Sequence, residues 1–332
     1  MDGTGLRRTV CAAAMAAVLG LACPAAAETL ESALAQAYRN NPTLNAQRAA
    51  LRATDESVPQ ALANYRPRVT GSWDNGFQHF ESISTTGGQF NMTNTNISPR
   101  GGNIGLVQPL FNGFRAGNLT RQAEAAVLAG RETLRNTEQS TLLDGATAYM
   151  NVLRDTAILD LQRRNVQVLQ EQLKQTRDRF NVGEVTRTDV AQSESRLAAA
   201  QSQVLAAEAN LKASQATYRR VIGAEPVNLR PGMPVDRLSP RSLPASIDLG
   251  RAEHPTVTAA QYIVDAAQHA VKAAEGSLYP TVTVESSVQR RWDVQPGVSD
   301  QFTGTVLGRA TVPIYQGGSE YSIIRQQKET LG

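Results

Sequence analysis

The chain has 332 residues, a formal net charge of +3 and only 5% aromatic residues. Its basic residues are spread along the chain beside acidic ones, which excludes the clustered basic surface that nucleic-acid binding requires. Scarce aromatic residues and abundant alanine favour long, closely packed helices over a large globular core. Both cysteines, Cys11 and Cys23, lie near the N-terminus, so no disulfide or thiol chemistry is expected beyond them.

The first 27 residues predict a secretory signal peptide, spanning 1–27. Two arginines precede an apolar run over residues 9–22, and residues 25–27 form an A-x-A cleavage motif, so the mature chain is expected to begin at Glu28. The alternative is a lipoprotein acylated at Cys23, although the leucine usual three residues earlier is absent. Beyond the signal there is no long apolar run, so membrane insertion would use strands rather than helices.

The sequence repeats itself. Residues 40–70 and 253–283 align without a gap at an offset of 213, with nine identical positions. Residues 108–113 and 312–317 align at an offset of 204. The interval is far longer than a solenoid repeat, so each copy is expected to be a large unit that runs helix, strand, polar loop, strand, turn and helix.

This repeat predicts the domain organisation. A first structural repeat is expected over 28–240, with a β-hairpin at 67–112 and a long helical hairpin at 115–222. A second, incomplete repeat is expected over 241–332. It contains a helix, a β-hairpin at 280–313 and the start of another long helix.

The segment 115–222 predicts two long helices. Apolar residues recur at every seventh position from Val152 to Phe180 and again from Val190 to Tyr218, which favours coiled-coil packing. An ordinary amphipathic hairpin in a closed bundle is the alternative. The other helix faces are too polar for a closed core, which favours a hollow helical assembly with water on both sides. The first helix would be about 100 Å long at the α-helical rise.

The turn between these helices has two structural signals. Gly183 is a candidate for the left-handed residue that ends a helix. Thr186 to Asp189 predicts a capping box that opens the next helix. On the long helix itself, Asp144, Asp155 and Asp160 do not have a ligand spacing and are expected on solvated faces.

Alternation of apolar and polar residues predicts strands at about 69–77, 282–292 and 302–312, each near the length of a tilted membrane-spanning strand. The segments 79–101 and 292–301 are expected as polar loops, and Gly101-Gly102 and Gly317-Gly318 as turns. A soluble β-sandwich has similar alternation, but here there are only two hairpins, each set between long helices. Four strands cannot close a barrel, so two or more chains would have to share one.

No catalytic, metal or cofactor site is predicted. His79, His254 and His269 are scattered and lack convergent partners, and the glycine pairs do not form a phosphate-binding loop. The chain is therefore not expected to be an enzyme. A periplasmic coiled-coil adaptor or scaffold stays open as an alternative to a membrane channel, as does a periplasmic binding module.

Four segments together resemble the TolC family of outer-membrane factors. They lie at 41–43, 65–67, 108–113 and 179–183, and the resemblance covers essentially all of 28–332. It implies a mixed α+β membrane protein with long coiled-coil α-hairpins and four transmembrane β-strands contributed to a shared trimeric β-barrel. It further implies a homotrimer in the outer membrane of a Gram-negative bacterium, in contact with lipid and extending into the periplasm as an α-barrel.

The same resemblance implies the exit duct of a tripartite efflux or type I secretion system. The partners would be a periplasmic adaptor, also called a membrane fusion protein, and an inner-membrane ABC or proton-driven pump. Thr303, Thr305 and Arg309 would line the lumen. In the family a Val-Gly-Leu motif at the helical tip docks the adaptor; here it corresponds to Val182, Gly183 and Glu184.

The chain departs from the family pattern at two places. Glu184 replaces the leucine of the docking motif, which removes an apolar contact. The second copy stops 15 residues after Gly317, whereas the first continues for about 110 residues after Gly113. One hypothesis from this departure is that the chain is a fragment, or a truncated gene product, of a duct and lacks helices that help seal and gate the channel.

Overall fold

The computed structural model describes residues 28–232, 240 and 242–332, apart from the side chains of residues 86, 89 and 91. The predicted signal peptide and both cysteines lie outside these residues. The helices are α1 (Leu30–Asn40), α2 (Pro42–Asp55), α3 (Ser57–Leu62), α4 (Arg115–Asn181), α5 (Arg187–Ile222), α6 (Leu243–Glu253), α7 (Pro255–Glu275) and α8 (Ser319–Leu331). The strands are β1 (Arg68–Asn75), β2 (Gln78–Thr86), β3 (Gln89–Ile97), β4 (Arg100–Asn112), β5 (Thr281–Gln295) and β6 (Val298–Thr311).

The chain divides into two compact units. The first comprises the residues up to Ala46 together with Thr137–Pro240, and the second comprises Gln47–Asn136 together with Arg241–Gly332. The 67-residue helix α4 therefore contributes residues to both. This division follows compactness, whereas the predicted boundary at residue 240 follows the repeat and stays a prediction.

The first unit is helical, with a core at one end of the α4–α5 hairpin. Thr29 caps α1 by accepting a hydrogen bond from the Ser32 amide, which starts the helix where its apolar face begins. That face packs on the hairpin. The buried side chains are Ala33, Ala37, Tyr149, Val152, Tyr218 and Ile222.

Burial along the hairpin follows the predicted seven-residue spacing in part, since Val152 and Tyr218 are buried whereas Phe180 is 41% exposed. Leu159 and Leu173 of α4 are buried, and so are the small residues Ala200 and Ala207 of α5. Small side chains at these positions let the two helices approach closely. Two exposed ion pairs join the helices, Arg163 to Glu208 at 2.9 Å and Arg177 to Glu194 at 2.6 Å. No helix within the described residues has the length and apolar character needed to cross a membrane.

The second unit is built around an antiparallel sheet in the order β1-β4-β5-β6. These are the four predicted strands. The central pairing joins β4 of the first repeat to β5 of the second, a contact between residues about 180 positions apart in the chain. Strands β1 and β6 form the two edges of this sheet.

The expected polar loop at 79–101 was wrong, because most of it forms a second sheet. Strands β2 and β3 pair as a hairpin through Gly87-Gly88, whose φ angles are +62° and +82°. Both are left-handed, the geometry that two-residue hairpin turns require. Gly-Gly was thus a turn signal inside a polar segment. His79, expected in a loop, lies on β2 and contacts Asn96 at 2.8 Å.

Two further expectations about the strands were wrong. The loop at 292–301 shortens to a turn at 296–297, because β5 continues to Gln295 and β6 begins at Val298. Gly101-Gly102 is not a turn but part of β4. A Cβ added to Gly102 would lie 3.0 Å from the Trp73 ring, so this glycine leaves room for the indole on the sheet.

The repeat is visible in the turns that follow the strands. After β4, Gly113 and Phe114 both have positive φ angles, +63° and +61°, and after β6 Gly317 and Gly318 have +68° and +82°. The first turn packs tightly on the 3-10 turn Gly276–Leu278 that precedes β5. The sequence repeat therefore corresponds to a repeat of backbone conformation.

Candidate functional site

The four-stranded sheet has one apolar and one polar face. Neighbouring residues along a strand point to opposite faces, and paired residues on adjacent strands share a face. The observed registers therefore place most large apolar side chains together: Val69, Trp73, Ile104, Leu106, Val282, Val284, Val288, Phe302 and Val306. Many of them are more than half exposed in this single chain. A sheet face of this kind needs an apolar environment to cover it.

The opposite face carries hydroxyl, amide and charged groups. Its members include Thr70, Ser72, Asp74, Asn103, Glu285, Arg291, Thr303, Thr305 and Arg309. The structure thus brings Thr303, Thr305 and Arg309 onto one face of β6, as the alternation predicts. Their role as lumen-lining residues stays a prediction.

Two ion pairs lie on the polar face. The Arg309 guanidinium donates from Nε and Nη2 to the two carboxylate oxygens of Glu285, at 3.0 and 3.2 Å. Arg291 pairs with Asp74 across β4. Both pairs are partly exposed, so each contributes little to stability. Their effect is to place charges of both signs on this face at two separate positions along β5.

Aromatic side chains mark one end of the apolar face. The rings of Trp73 and Trp292 have their centroids 5.9 Å apart, and the Trp73 ring lies beside Gly102. The Arg290 guanidinium lies 5.3 Å from the centroid of Trp292 and also pairs with Asp300 at 2.9 Å. A paired charge beside two indoles at the edge of an apolar band is typical of the boundary between membrane and water.

The tip of the α4–α5 hairpin forms as its sequence predicts. Gly183 has a φ of +83°, and its amide donates to the Phe180 carbonyl at 2.9 Å, which ends α4. The Thr186 hydroxyl and the Asp189 carboxylate cap each other's backbone amides, at 3.3 and 2.8 Å, which confirms the capping box. Val182 stands 79% exposed at the end of the hairpin.

Sequence analysis missed the partner of Glu184. The Arg179 guanidinium binds both oxygens of its carboxylate, at 3.0 and 3.2 Å, across the turn. This hydrogen bonding holds the pKa of Glu184 below its usual range. The turn folds residues 179 and 184 together, so the negative charge that replaces leucine is matched by a positive one.

A buried carboxylate was also misassigned. Asp155 was expected on a solvated face, but it is only 6% exposed and faces α5. The Ser214 hydroxyl donates to it from the other helix, and Arg154 Nε donates at 2.9 Å. The hydrogen bond from Arg154 is the main cause that lowers the pKa of Asp155. Asp144 and Asp160 are exposed, as predicted.

Two tyrosines close the core of the first unit beside the start of the described chain. The Tyr149 hydroxyl lies 2.9 Å from the Glu28 carbonyl oxygen and 2.7 Å from that of Arg230, and donates to this pair. Burial raises its pKa. Tyr218 packs beside it with ring centroids 6.4 Å apart, and burial raises its pKa as well. Neither tyrosine is positioned for chemistry.

The histidines considered in the sequence analysis do not converge on one site in the structure. His254 caps α7, since its Nδ1 accepts from the Thr256 amide at 3.2 Å. His269 lies on α7, and its Nδ1 is buried without a hydrogen-bond partner. Within the part of the chain that the structure describes, no cluster of three or more His, Cys, Asp or Glu side chains is arranged to hold a metal ion.

The sequence and the fold both match a family of outer-membrane proteins. The family model described as outer membrane efflux protein matches residues 33–224, more than half of the chain. The chain belongs to this family, which confirms the predicted family and the outer-membrane location with an extension into the periplasm. The family also agrees with the prediction that the chain is not an enzyme.

Relatives extend the match beyond those residues. The chain is 39% identical over 310 residues to the outer membrane efflux protein BepC of Brucella suis biovar 1 (strain 1330), covering 93% of this chain and 65% of the relative. It is 25% identical over 327 residues to the outer membrane protein TolC of Escherichia coli (strain K12), covering 90% of this chain and 62% of TolC. The chain thus spans somewhat under two thirds of the length of these relatives.

Solved structures confirm the predicted fold class. The crystal structure of CusC superposes with a TM-score of 0.74 at 14% identity, covering 91% of this chain and 69% of CusC. The CmeC outer membrane channel of Campylobacter jejuni gives a TM-score of 0.73 at 14% identity, with coverages of 91% and 65%. At these identities the likeness concerns the fold alone.

Proposed function

We propose that this chain is a channel subunit that forms the exit duct of a tripartite efflux or type I secretion system and carries cargo passively. The observation that carries the proposal is the sheet with an apolar face, a polar face and two unpaired edges. Membrane-spanning sheets have to close, because unpaired backbone groups are costly in lipid. A homotrimer would combine the four strands of each chain into twelve.

In this arrangement the apolar face contacts outer-membrane lipid and the polar face lines the pore. Thr303, Thr305 and Arg309 are then lumen-lining residues, and the charges of Arg309 and Glu285 lie in the path of ions. The relative AprF of Pseudomonas aeruginosa is an alkaline protease secretion protein, and FusA of Burkholderia cepacia is a fusaric acid resistance protein. The greater identity to BepC, an efflux protein, favours efflux for this chain.

A test starts with residues 28–332 exported to the outer membrane of a host that lacks a channel of this kind. The chain should require detergent for extraction, run as a heat-modifiable oligomer of three times its mass, and conduct ions in planar bilayers. A periplasmic adaptor or scaffold, the alternative function, would be released without detergent and give no conductance.

A matched pair of variants tests which face lines the pore. Arg309→Gln leaves Glu285 unpaired and should shift the reversal potential towards cation selectivity. Glu285→Gln leaves Arg309 unpaired and should shift it towards anions. Pores that form normally but keep the same selectivity in both variants would show that this face is not the pore lining.

The hairpin tip is proposed as the docking site for a periplasmic adaptor linked to an inner-membrane ABC or proton-driven pump. Val182 offers an exposed apolar contact, and the pairing of Glu184 with Arg179 reduces the cost of a charge at the tip. Val182→Asp should therefore abolish cross-linking to a co-expressed adaptor. Val168→Asp alters another exposed valine, 65% exposed, on α4 away from the tip and is the control. Gly183→Pro should also abolish cross-linking to the adaptor, since proline cannot adopt the positive φ of this residue.

A further inference from the structure

Two arginines, Arg66 and Arg68, form a basic pair at the start of β1 on the polar side of the sheet. Arg68 is the first residue of β1, and Arg66 has an extended backbone just before it. Residues two apart along an extended chain point the same way, so both lie on the side that carries Thr70. With Asn64 and Val107 they line a hollow of about 200 Å³.

This arginine pair is not neutralised by neighbouring groups. Both side chains belong to exposed residues, and neither forms an ion pair within the part of the chain that the structure describes. The acidic residue in the same cross-strand row as Arg68 is Glu285, and both of its carboxylate oxygens already accept from Arg309. Since arginine stays protonated in proteins, the pair keeps its full charge of +2.

The arginine pair also decides the sign of charge on the polar face. The other charged side chains of this face form two ion pairs, Arg291 with Asp74 and Arg309 with Glu285. The charges within each of these ion pairs cancel. The polar face therefore has a net charge of +2 per chain, and this excess lies at the end of the sheet that follows α3.

The fold does not require the arginine pair. By the offset of 213, Arg66 and Arg68 correspond to Tyr279 and Thr281. The backbone is the same at both places, since each segment follows a 3-10 turn and the φ and ψ angles are −86° and 153° at Arg66 and −91° and 156° at Tyr279. The second copy thus enters its strand in the same way without either arginine. This difference favours a role in binding over a role in folding.

We propose that the arginine pair binds oxyanion groups of the cargo, so that the duct prefers anionic molecules bearing carboxylate or phosphate groups. The inference rests on the proposed function, because it takes the polar face as the lining of a pore shared by three chains. Guanidinium groups bind carboxylate and phosphate oxygens through paired N–H donors. Three chains bring six of these groups to one level of the passage, and rings of arginine select anions in pores.

The setting of the arginine pair favours brief binding over trapping. One water takes roughly 30 Å³ of liquid volume, so the hollow of about 200 Å³ lets an entering anion keep part of its hydration. Charges in water are screened beyond roughly 8 Å at physiological ionic strength, so the attraction acts only close to the arginines and weakens with salt. Conduction needs a site of this strength, because the anion must also leave.

Ion selectivity tests the preference. Residues 28–332 are reconstituted in planar bilayers under a gradient of potassium chloride, and the reversal potential gives the permeability ratio of chloride to potassium. The unmodified chain should prefer chloride. The glutamine variant, Arg66→Gln with Arg68→Gln, leaves only the two cancelling ion pairs on the polar face, so its ratio should fall to about 1.

Two matched variants separate charge from other effects of substitution. The lysine variant, Arg66→Lys with Arg68→Lys, keeps the charge and should keep the chloride preference. Thr281→Arg adds an arginine at the position equivalent to Arg68, on the same face of the sheet, and should raise the preference above that of the unmodified chain.

Direct binding is measured separately from conduction. Calorimetry follows the binding of tripolyphosphate to the detergent-solubilised chain, with the polycation spermine as the control probe. Tripolyphosphate should bind the unmodified chain, and the glutamine variant should bind it at least about tenfold more weakly, because hydrogen bonds between charged groups are strong. The lysine variant should have an intermediate affinity, since an ammonium group lacks the planar fork of arginine. Spermine should not bind.

The outcomes distinguish this inference from the channel function. Tripolyphosphate binding that depends on the arginine pair supports the oxyanion site, even if no conductance is found and the channel function fails. Equal binding in the unmodified chain and the glutamine variant overturns the site, whether or not the chain conducts. Conductance with the same ion selectivity in both overturns the cargo preference but leaves the channel function intact. If the arginine pair then proves necessary for binding vesicles of anionic lipid, its ligand is a membrane headgroup and not the cargo.

Discussion

The turn between β4 and α4 makes a strong prediction about stability. Gly113 has a φ of +63°, and an added Cβ would lie 2.2 Å from the Gly276 carbonyl oxygen and 2.8 Å from the Tyr279 Cβ. The left-handed conformation costs alanine about 1–2 kcal/mol. Forcing a methyl group into a packed contact costs about 1–3 kcal/mol more. Gly113→Ala should therefore lower the free energy of unfolding by about 2–5 kcal/mol.

The repeat supplies a matched control. Gly317 has nearly the same φ, +68°, but an added Cβ would meet no atom within 4 Å. Gly317→Ala should therefore show the conformational cost alone, about 1–2 kcal/mol. Urea unfolding followed by circular dichroism measures both variants on the monomeric detergent-solubilised fraction. That fraction is required because contacts between subunits of the proposed homotrimer would add to the measured loss.

Equal losses in the two variants would refute the reasoning. They would mean that the close approach of Gly113 to Gly276 does not contribute, and that only the backbone angle matters.

Three further perturbations follow from the contacts described above. Asp155→Asn should cost about 1–2 kcal/mol at neutral pH in urea unfolding, against no change for the exposed Asp160→Asn. Because the pKa of Asp155 is lowered in the folded state, the stability it contributes is present above its unfolded pKa of about 3.8 and is lost as pH falls through the lower folded pKa. Asp155→Asn should lack this acid dependence of stability. A dependence retained in the variant would show that Asp155 is not its source. Tyr149→Phe removes the hydroxyl proton that the Glu28 and Arg230 carbonyl oxygens share and should cost about 1 kcal/mol, whereas an unchanged midpoint would show that water replaces the hydroxyl. Gly102→Ala should displace Trp73 and weaken the exciton signal of the two indoles in circular dichroism, and an unaltered signal would mean that the ring is held by other contacts.

Features that depend on neighbouring residues in sequence were predictable. The seven-residue spacing predicted several buried positions of the helical hairpin, including Leu159, Leu173 and Tyr218. The positive φ of Gly183 and the capping box at Thr186 were also predicted. These features follow from helical periodicity and from backbone groups that helix ends leave unpaired, and both act within a few residues.

Errors arose where a segment was judged by its polarity alone. The segment containing β2 and β3 mixes apolar and polar residues on both faces, with Ile83 and Met92 on one and Phe80 on the other, so it lacks the alternation that identifies a half-buried strand. Its hairpin depends on cross-strand backbone pairing and on the Gly87-Gly88 turn. Asp155 was misassigned for a related reason. Its burial follows from the approach of α5, which brings Ser214 opposite it across 59 positions of sequence.

The sequence by itself determined the long helices, the repeat and the apolar and polar sides of the strands in the four-stranded sheet. These are properties of local order along the chain. Only the tertiary structure decided that β4 of one repeat pairs with β5 of the other, and that β1 and β6 are left as edges. Alternation along a strand specifies which side chains share a face. It does not specify the partner strand, because several strands have the same pattern. The choice of partner depends on the closure of 168 intervening residues between β4 and β5, which no local pattern encodes.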